Sequence, residues 1–221
     1  MANRSAQAVP PHERMRVGLL LTFVGGFLEA YTYVLHGHVF ANAQTGNMAL
    51  FAVHLMQKTG QAWYYLVPIG AFLCGIMASE WLRRVLGRRR WARWEQLIVL
   101  IEALLLAVIA FLPAATPDAV VNVAVAFICS LQFDTFRKTH GLAYATTFCT
   151  GNLRSAGENL YYALADRDRG RAVASARYFG VIAAFILGVA VGVWVVGLLG
   201  AYAALVCTAL CLAAWALMCW G

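Results

Sequence analysis

The stretch ANAQTGNMAL, residues 41–50, sets Asn42, Gln44, Thr45, Gly46 and Asn47 inside an otherwise apolar run. The same Thr-Gly-Asn returns at 150–152 within TTFCTGNLRS, residues 146–155. A helix in hydrocarbon must satisfy its backbone polar groups internally, so polar and flexible residues at this depth mark a broken helix that lines protein or water. Glycine permits the break, and threonine is a good N-cap for a helix starting just after it. A helix over residues 47–57 would be about 16 Å long, roughly half the hydrocarbon thickness, and its N-terminus would end near the midplane. The pattern predicts two re-entrant half-helices, within 39–57 and 142–164.

The rest of the chain agrees with a membrane setting. Of 221 residues, 62% are hydrophobic and 12% charged, and the mean hydropathy is +0.69; soluble domains run near about 25% charged. Stretches of about the 20 residues a crossing needs lie at 17–35, 63–82, 96–115, 119–136, 173–198 and 201–220. The six cysteines fall inside apolar segments without a CxxC pair or metal-type spacing, and read as small packing residues. Residues 1–16 read as a disordered polar tail. A cleaved signal peptide, with ANA at 41–43 as its cleavage site, is disfavoured by its distance from the apolar core and by Glu29.

Arginine placement orders the crossings, because loops rich in Lys and Arg stay cytoplasmic. Clusters sit at Arg4, Arg14 and Arg16, at Arg83 to Arg93, at Arg137 and Lys138, and at Arg167 to Arg177. Six crossings plus two segments that enter and leave by one face leave only Lys58 of the seventeen Lys and Arg residues outside, with both termini cytoplasmic. An eight-crossing path with an external N-terminus leaves several arginines outside.

A shift of 105 lays residues 28–47 over 133–152 without a gap, pairing Glu29 with Asp134 and the two Thr-Gly-Asn segments with each other. A slightly larger shift lays 72–81 over 185–194 and pairs Phe72 with Phe185, Gly75 with Gly188 and Trp81 with Trp194. The fold expected is therefore an all-α integral membrane protein with six transmembrane helices and two re-entrant half-helices in two inverted repeats. The tail is 1–16, and the repeats 17–115 and 116–221 form one membrane domain. Inverted repeats with interrupted helices at corresponding positions point to a midplane site, as in secondary transporters and some channels.

Unpaired N–H groups and the positive dipole end make each half-helix tip a site for an anion or a carbonyl oxygen. The expected solute-binding residues are Asn42, Gln44, Thr45, Gly46, Asn47, Thr150, Gly151, Asn152 and Arg154. The alternative for the asparagines is that they only satisfy the broken backbone. Glu29 and Asp134, costly inside a membrane, are the expected proton or ion coupling pair; Asp134, three positions before Arg137, has a helix-end ion pair as its alternative. Arg154 and Glu158 have the spacing of a structural pair, and Glu102 is a lone carboxylate without an assigned role. His36, His38 and His140 read as solvated connection residues.

No GxSxG, HExxH, P-loop or GxGxxG motif occurs, which argues against an enzyme and leaves Cys149 as the one candidate nucleophile. No metal, cofactor or nucleic acid is expected. The expected partners are a small solute, membrane lipid and, as an option, further copies of the chain. The leading expectation is a secondary transporter or channel for a small polar or anionic solute, with proton coupling as an option. The alternative is a non-transporting scaffold or assembly partner, although the short connections show no large interaction loop.

The segments GGFLEAYTYVLHGHVFANAQTGN, 25–47, and SLQFDTFRKTHGLAYATTFCTGNLRSAGE, 130–158, resemble the YoaK-like family of bacterial inner-membrane proteins, a domain of unknown function. The resemblance runs over about residues 15–218 and implies a six-spanning protein of the bacterial inner membrane. It implies no substrate, cofactor or catalytic residue. The family's first motif usually has an aspartate where this chain has Glu29.

Overall fold

A computed structural model describes residues 9–87, 93–140, 142–144 and 149–220; Arg4, Arg88, Arg89 and Arg90 lie outside the described residues. The described chain is almost entirely helical: α1 Met15–Leu35, α2 Gln44–Met56, α3 Ala62–Leu86, α4 Trp94–Ala110, α5 Asp118–Thr135, α6 Cys149–Ala165, α7 Arg169–Leu199 and α8 Ala204–Cys219. The apolar stretches read from the sequence each become a helix within a few residues. Among the described residues, four stretches are long and apolar enough to cross a membrane: Met15–Leu35, Ala62–Leu86, Asp118–Thr135 and Arg169–Cys219. The last is α7 and α8 joined by a short 3-10 turn, Gly200–Ala203, in which Gly200 has φ 55°, a left-handed value that favours glycine.

The exterior is apolar. Met77, Trp81, Leu104, Ile186, Trp194 and Leu198 are each more than half exposed, the outward apolar side chains expected of helices that face lipid. Inside, α1 is buried on most sides from Val17 to Thr32, and α5 from Val121 to Thr135. These two central helices run antiparallel. Asn122 near the start of α5 donates Nδ2–H to His36 O at 2.8 Å, just past the end of α1. Gln132 donates to Leu21 O at 3.0 Å in the middle, and Thr139 donates to Glu13 O at 3.1 Å at the other end.

The packed helix pairs match across the halves. α1 lies along α7 as α3 lies along α5; α2 packs on α3 as α6 packs on α7; α1 meets α8 as α4 meets α5; and α4 meets α8. Exchanging α1 to α4 with α5 to α8 returns each of these pairs, whereas the small α3–α4 contact has no α7–α8 counterpart of its size. The α4–α8 pair is also antiparallel, because Gln96 near the start of α4 donates to Met218 O at 3.2 Å and Thr208 donates to Ala103 O at 3.4 Å.

Glycines at matching places permit the close crossings. A Cβ at Gly75 of α3 would collide with Ser130 and the Phe127 carbonyl of α5. One at Gly188 of α7 would collide with the Phe23 carbonyl of α1, and one at Gly26 would strike the Phe185 carbonyl in return. The small residues thus let two backbones touch, and their sequence match reflects the same job done twice.

Three expectations need correction. The tail is not disordered through residue 16: Pro11–Glu13 forms a 3-10 turn and Met15 starts α1. The half-helix within 142–164 does not start just after Thr150: Leu142–Ala143 pairs antiparallel with Lys138–Thr139, and α6 already starts at Cys149. This small ladder is held on the N-terminal turn by Thr139 and by His140, whose N–H donates to Glu13 O at 2.8 Å. His36 is not solvated either; its Nδ1 lies 2.8 Å from Asp118 Oδ1, and its ring packs against Tyr31.

Candidate functional site at the tip of α2

The first polar stretch folds as a tight loop against α1. Left-handed backbone at Gly37 and His38, with φ of 77° and 60°, turns the chain back after α1, and α2 then starts at Gln44. Two local expectations fail here. Helix α2 starts three residues sooner than the Thr-Gly-Asn reading predicts, so Thr45 is not an N-cap; it sits exposed in the first turn. Gly46 does not break the helix; it gives room to Phe40, whose ring would lie 2.9 Å from a Cβ there.

Helix α2 has no side-chain cap of its own. Its cap comes from α1. Glu29, only 7% exposed, accepts from Asn42 N–H at 2.8 Å through Oε2 and from Ala43 N–H at 3.2 Å through Oε1. The carboxylate therefore sits where a helix start holds an anion. The attraction of the α2 tip for negative charge, read from the sequence as a solute site, is met by the chain's own acid.

The remaining polar groups fasten the loop. Asn42, fully buried, donates Nδ2–H to Gly25 O at 2.8 Å, while its Oδ1 has no hydrogen-bond partner. Gln44 donates Nε2–H to Ala41 O at 2.9 Å and accepts from Asn47 Nδ2 at 3.0 Å. Asn47 also donates to Phe40 O at 2.6 Å and accepts from Phe40 N–H at 3.1 Å. Its carboxamide is thus spent on backbone and on Gln44.

The second tip is built differently. Asn152 is buried at the position matching Asn47, whereas Thr150, Gly151 and Arg154 are exposed. Arg154 and Glu158 are both exposed and do not pair with each other. Asp134, matching Glu29, is held by Arg137, which also binds Glu80; Arg83 binds Glu80 in turn. By the repeat, the backbone that Asp134 would cap belongs to residues 147 and 148, outside the described residues. The far ends of α2 and α6 are anchored at matching positions: His54 stacks on Tyr65 of α3, and Asn159 accepts from Arg171 of α7 at 3.2 Å.

Glu29 lies within electrostatic range of Cys149 at the start of α6 and of the buried Cys129 of α5. Sequence reasoning missed Glu80, 57 positions from Arg137, and Phe40, whose part is played by its peptide and not its side chain. No local spacing signals either.

The fold and this site define a helical protein of membrane type, with paired polar helix tips on a two-fold packing plan. The chain belongs to the family described as protein of unknown function (DUF1275), whose model matches residues 17–217, in agreement with the YoaK-like resemblance of the sequence. No curated protein and no solved structure matches the chain.

Proposed function

We propose that the protein is a secondary transporter or channel for a small polar or anionic solute, coupled to protons. It resides in the bacterial inner membrane with both termini cytoplasmic. Helices α1, α3, α4, α5, α7 and α8 cross, and α2 and α6 are re-entrant. The matched helix pairs and the antiparallel runs of α1 with α5 and of α4 with α8 support two inverted repeats. The 13 residues of α2 make about 20 Å at 1.5 Å each, short of a crossing.

The observation that carries the reading is the seat of Glu29 on the Asn42 and Ala43 N–H groups. A carboxylate there stands in for a solute anion. Protonation removes its charge and frees those donors, so an anionic solute takes the place of the ionised acid and binding consumes a proton. Asn42, Gln44, Thr45, Gly46 and Asn47 shape the first tip. Thr150, Gly151, Asn152 and Arg154 form the second, where Arg154 supplies positive charge. Asp134 is the matching acid, held in reserve by Arg137.

The test is a thermal-shift screen of purified protein against small carboxylates, inorganic anions, amino acids and nucleobases across pH, followed by uptake into proteoliposomes. One class should stabilise the protein more strongly at low pH, and Glu29→Gln should make that stabilisation independent of pH. Absence of both stabilisation and uptake across the classes overturns the reading.

A further inference from the structure

Three acids are buried within the helices among the described residues, Glu29, Glu102 and Asp134, and their surroundings differ. Glu29 has two peptide donors, and Asp134 has Arg137. Glu102, in the middle of α4, is 1% exposed, and neither of its carboxyl oxygens has a hydrogen-bond partner among the described residues. An ionised carboxylate stripped of water, counter-charge and donors is the most costly of buried groups, and such a group is expected to stay neutral.

Every element packed against α4 leaves Glu102 without a cation. From α8 come Cys211 and, beside it, Cys207; from α5 comes Cys129. The α1 acid Glu29 and Glu102 both lie within electrostatic range of Cys129, and Tyr31 within that of Cys207. The ionised α3 residue, Glu80, lies at an exposed helix end between two arginines. The hydroxyl nearest in sequence plan, Thr208 of α8, is committed to the Ala103 and Ala204 carbonyls. Among the described residues no three of these groups are arranged to hold a metal ion.

The acid also breaks the symmetry of the fold. Helix α8, the partner of α4 across the two-fold plan, contains no acidic residue, so duplication alone does not account for Glu102. A leucine would fill the position at no electrostatic cost.

We propose that Glu102 is a buried proton-binding site: a carboxyl that carries its proton in this conformation, within the packed α4–α8 seam. It is a second proton site beside Glu29. The proposal does not depend on any transported solute.

The experiment uses the intact protein in detergent or lipid. Dicyclohexylcarbodiimide attacks protonated carboxyls in apolar settings, and peptide mass spectrometry locates the adduct. Infrared difference spectroscopy reads the C=O stretch of a protonated carboxyl. The expected result is an adduct on Glu102 that forms faster as pH falls, together with a C=O band that is lost in Glu102→Gln and kept in Glu29→Gln. Should Glu102→Gln fail to fold, the wild-type adduct and Glu102→Leu supply the same comparison. A carboxylate stretch in place of the C=O band, labelling that spares Glu102, or protection of Glu102 by sodium at fixed pH would each overturn it. None of these readouts involves flux, so their failure is distinct from failure of the transport reading.

Discussion

The Asn47 carboxamide grips the Phe40 peptide from both sides, donating to its carbonyl at 2.6 Å and accepting from its N–H at 3.1 Å. A third bond, to Gln44, completes its capacity on that face. Each such bond contributes about 1 kcal/mol, and a buried group left unpaired costs more. Asn47→Ala is therefore expected to lower unfolding stability by about 2–3 kcal/mol, measured by denaturant titration in detergent. Asn47→Asp, which sets a buried carboxylate oxygen against the Phe40 carbonyl and Gln44 Oε1, should cost more than Asn47→Ala. Unchanged stability in Asn47→Ala would return this residue to the solute and remove it from the scaffold.

The Gly188 crossing offers a sharper contrast. Gly188→Ala drives a methyl into the Phe23 carbonyl, whereas Gly197→Ala, on the same helix, meets nothing within 4 Å. Overpacking that forces backbones apart costs about 1–3 kcal/mol. The melting temperature should drop for the first and hold or rise for the second. Gly75→Ala should repeat the loss, because Gly75 does for α3 and α5 what Gly188 does for α7 and α1.

That equivalence was legible in the sequence, where Gly75 and Gly188 align, as were the positions of the helices. Hydropathy and repeat spacing are local or periodic signals, and one chain carries them. The interior of the site was less legible. The start of α2 is fixed by Glu29, 13 and 14 positions from the N–H groups it accepts, so local capping rules looked to Thr45 and found the wrong residue. Asn47 has the chemistry of a solute ligand and that of a loop fastener alike; only the position of Phe40 tells which it performs in this conformation. The pairing of Glu80 with Arg137 and the isolation of Glu102 depend on which helices touch, which no spacing encodes.

Arg137 joins two acids of unequal exposure. Asp134 is 6% exposed, while Arg137 and Glu80 have side chains 49% and 37% exposed. Removing the guanidinium strands a buried carboxylate, so Arg137→Ala should cost about 2 kcal/mol, less than the loss of a fully buried pair because the cation is half in solvent. Asp134→Asn on that background should recover most of the loss. A double-mutant cycle of thermal or denaturant stabilities measures the coupling. Additive single effects would mean that Asp134 does not depend on Arg137 for its charge.

The last prediction separates the two duties of Glu29. As a cap it contributes to stability, because its removal leaves the Asn42 and Ala43 N–H groups of the loop unpaired. Glu29→Ala should therefore lower stability by about 2–4 kcal/mol, whereas Glu29→Gln, which keeps one acceptor oxygen, should lose about half of that. As a stand-in anion it competes with solute, and there the order inverts. Glu29→Gln removes the competing charge and keeps the loop folded, so a solute anion should bind it more tightly than wild type at neutral pH and equally at low pH. Isothermal titration of wild type and Glu29→Gln at two pH values, beside their unfolding curves, reads both duties. A variant that is destabilised yet binds solute with the wild-type pH dependence would leave Glu29 a structural cap and move the coupling proton to another acid.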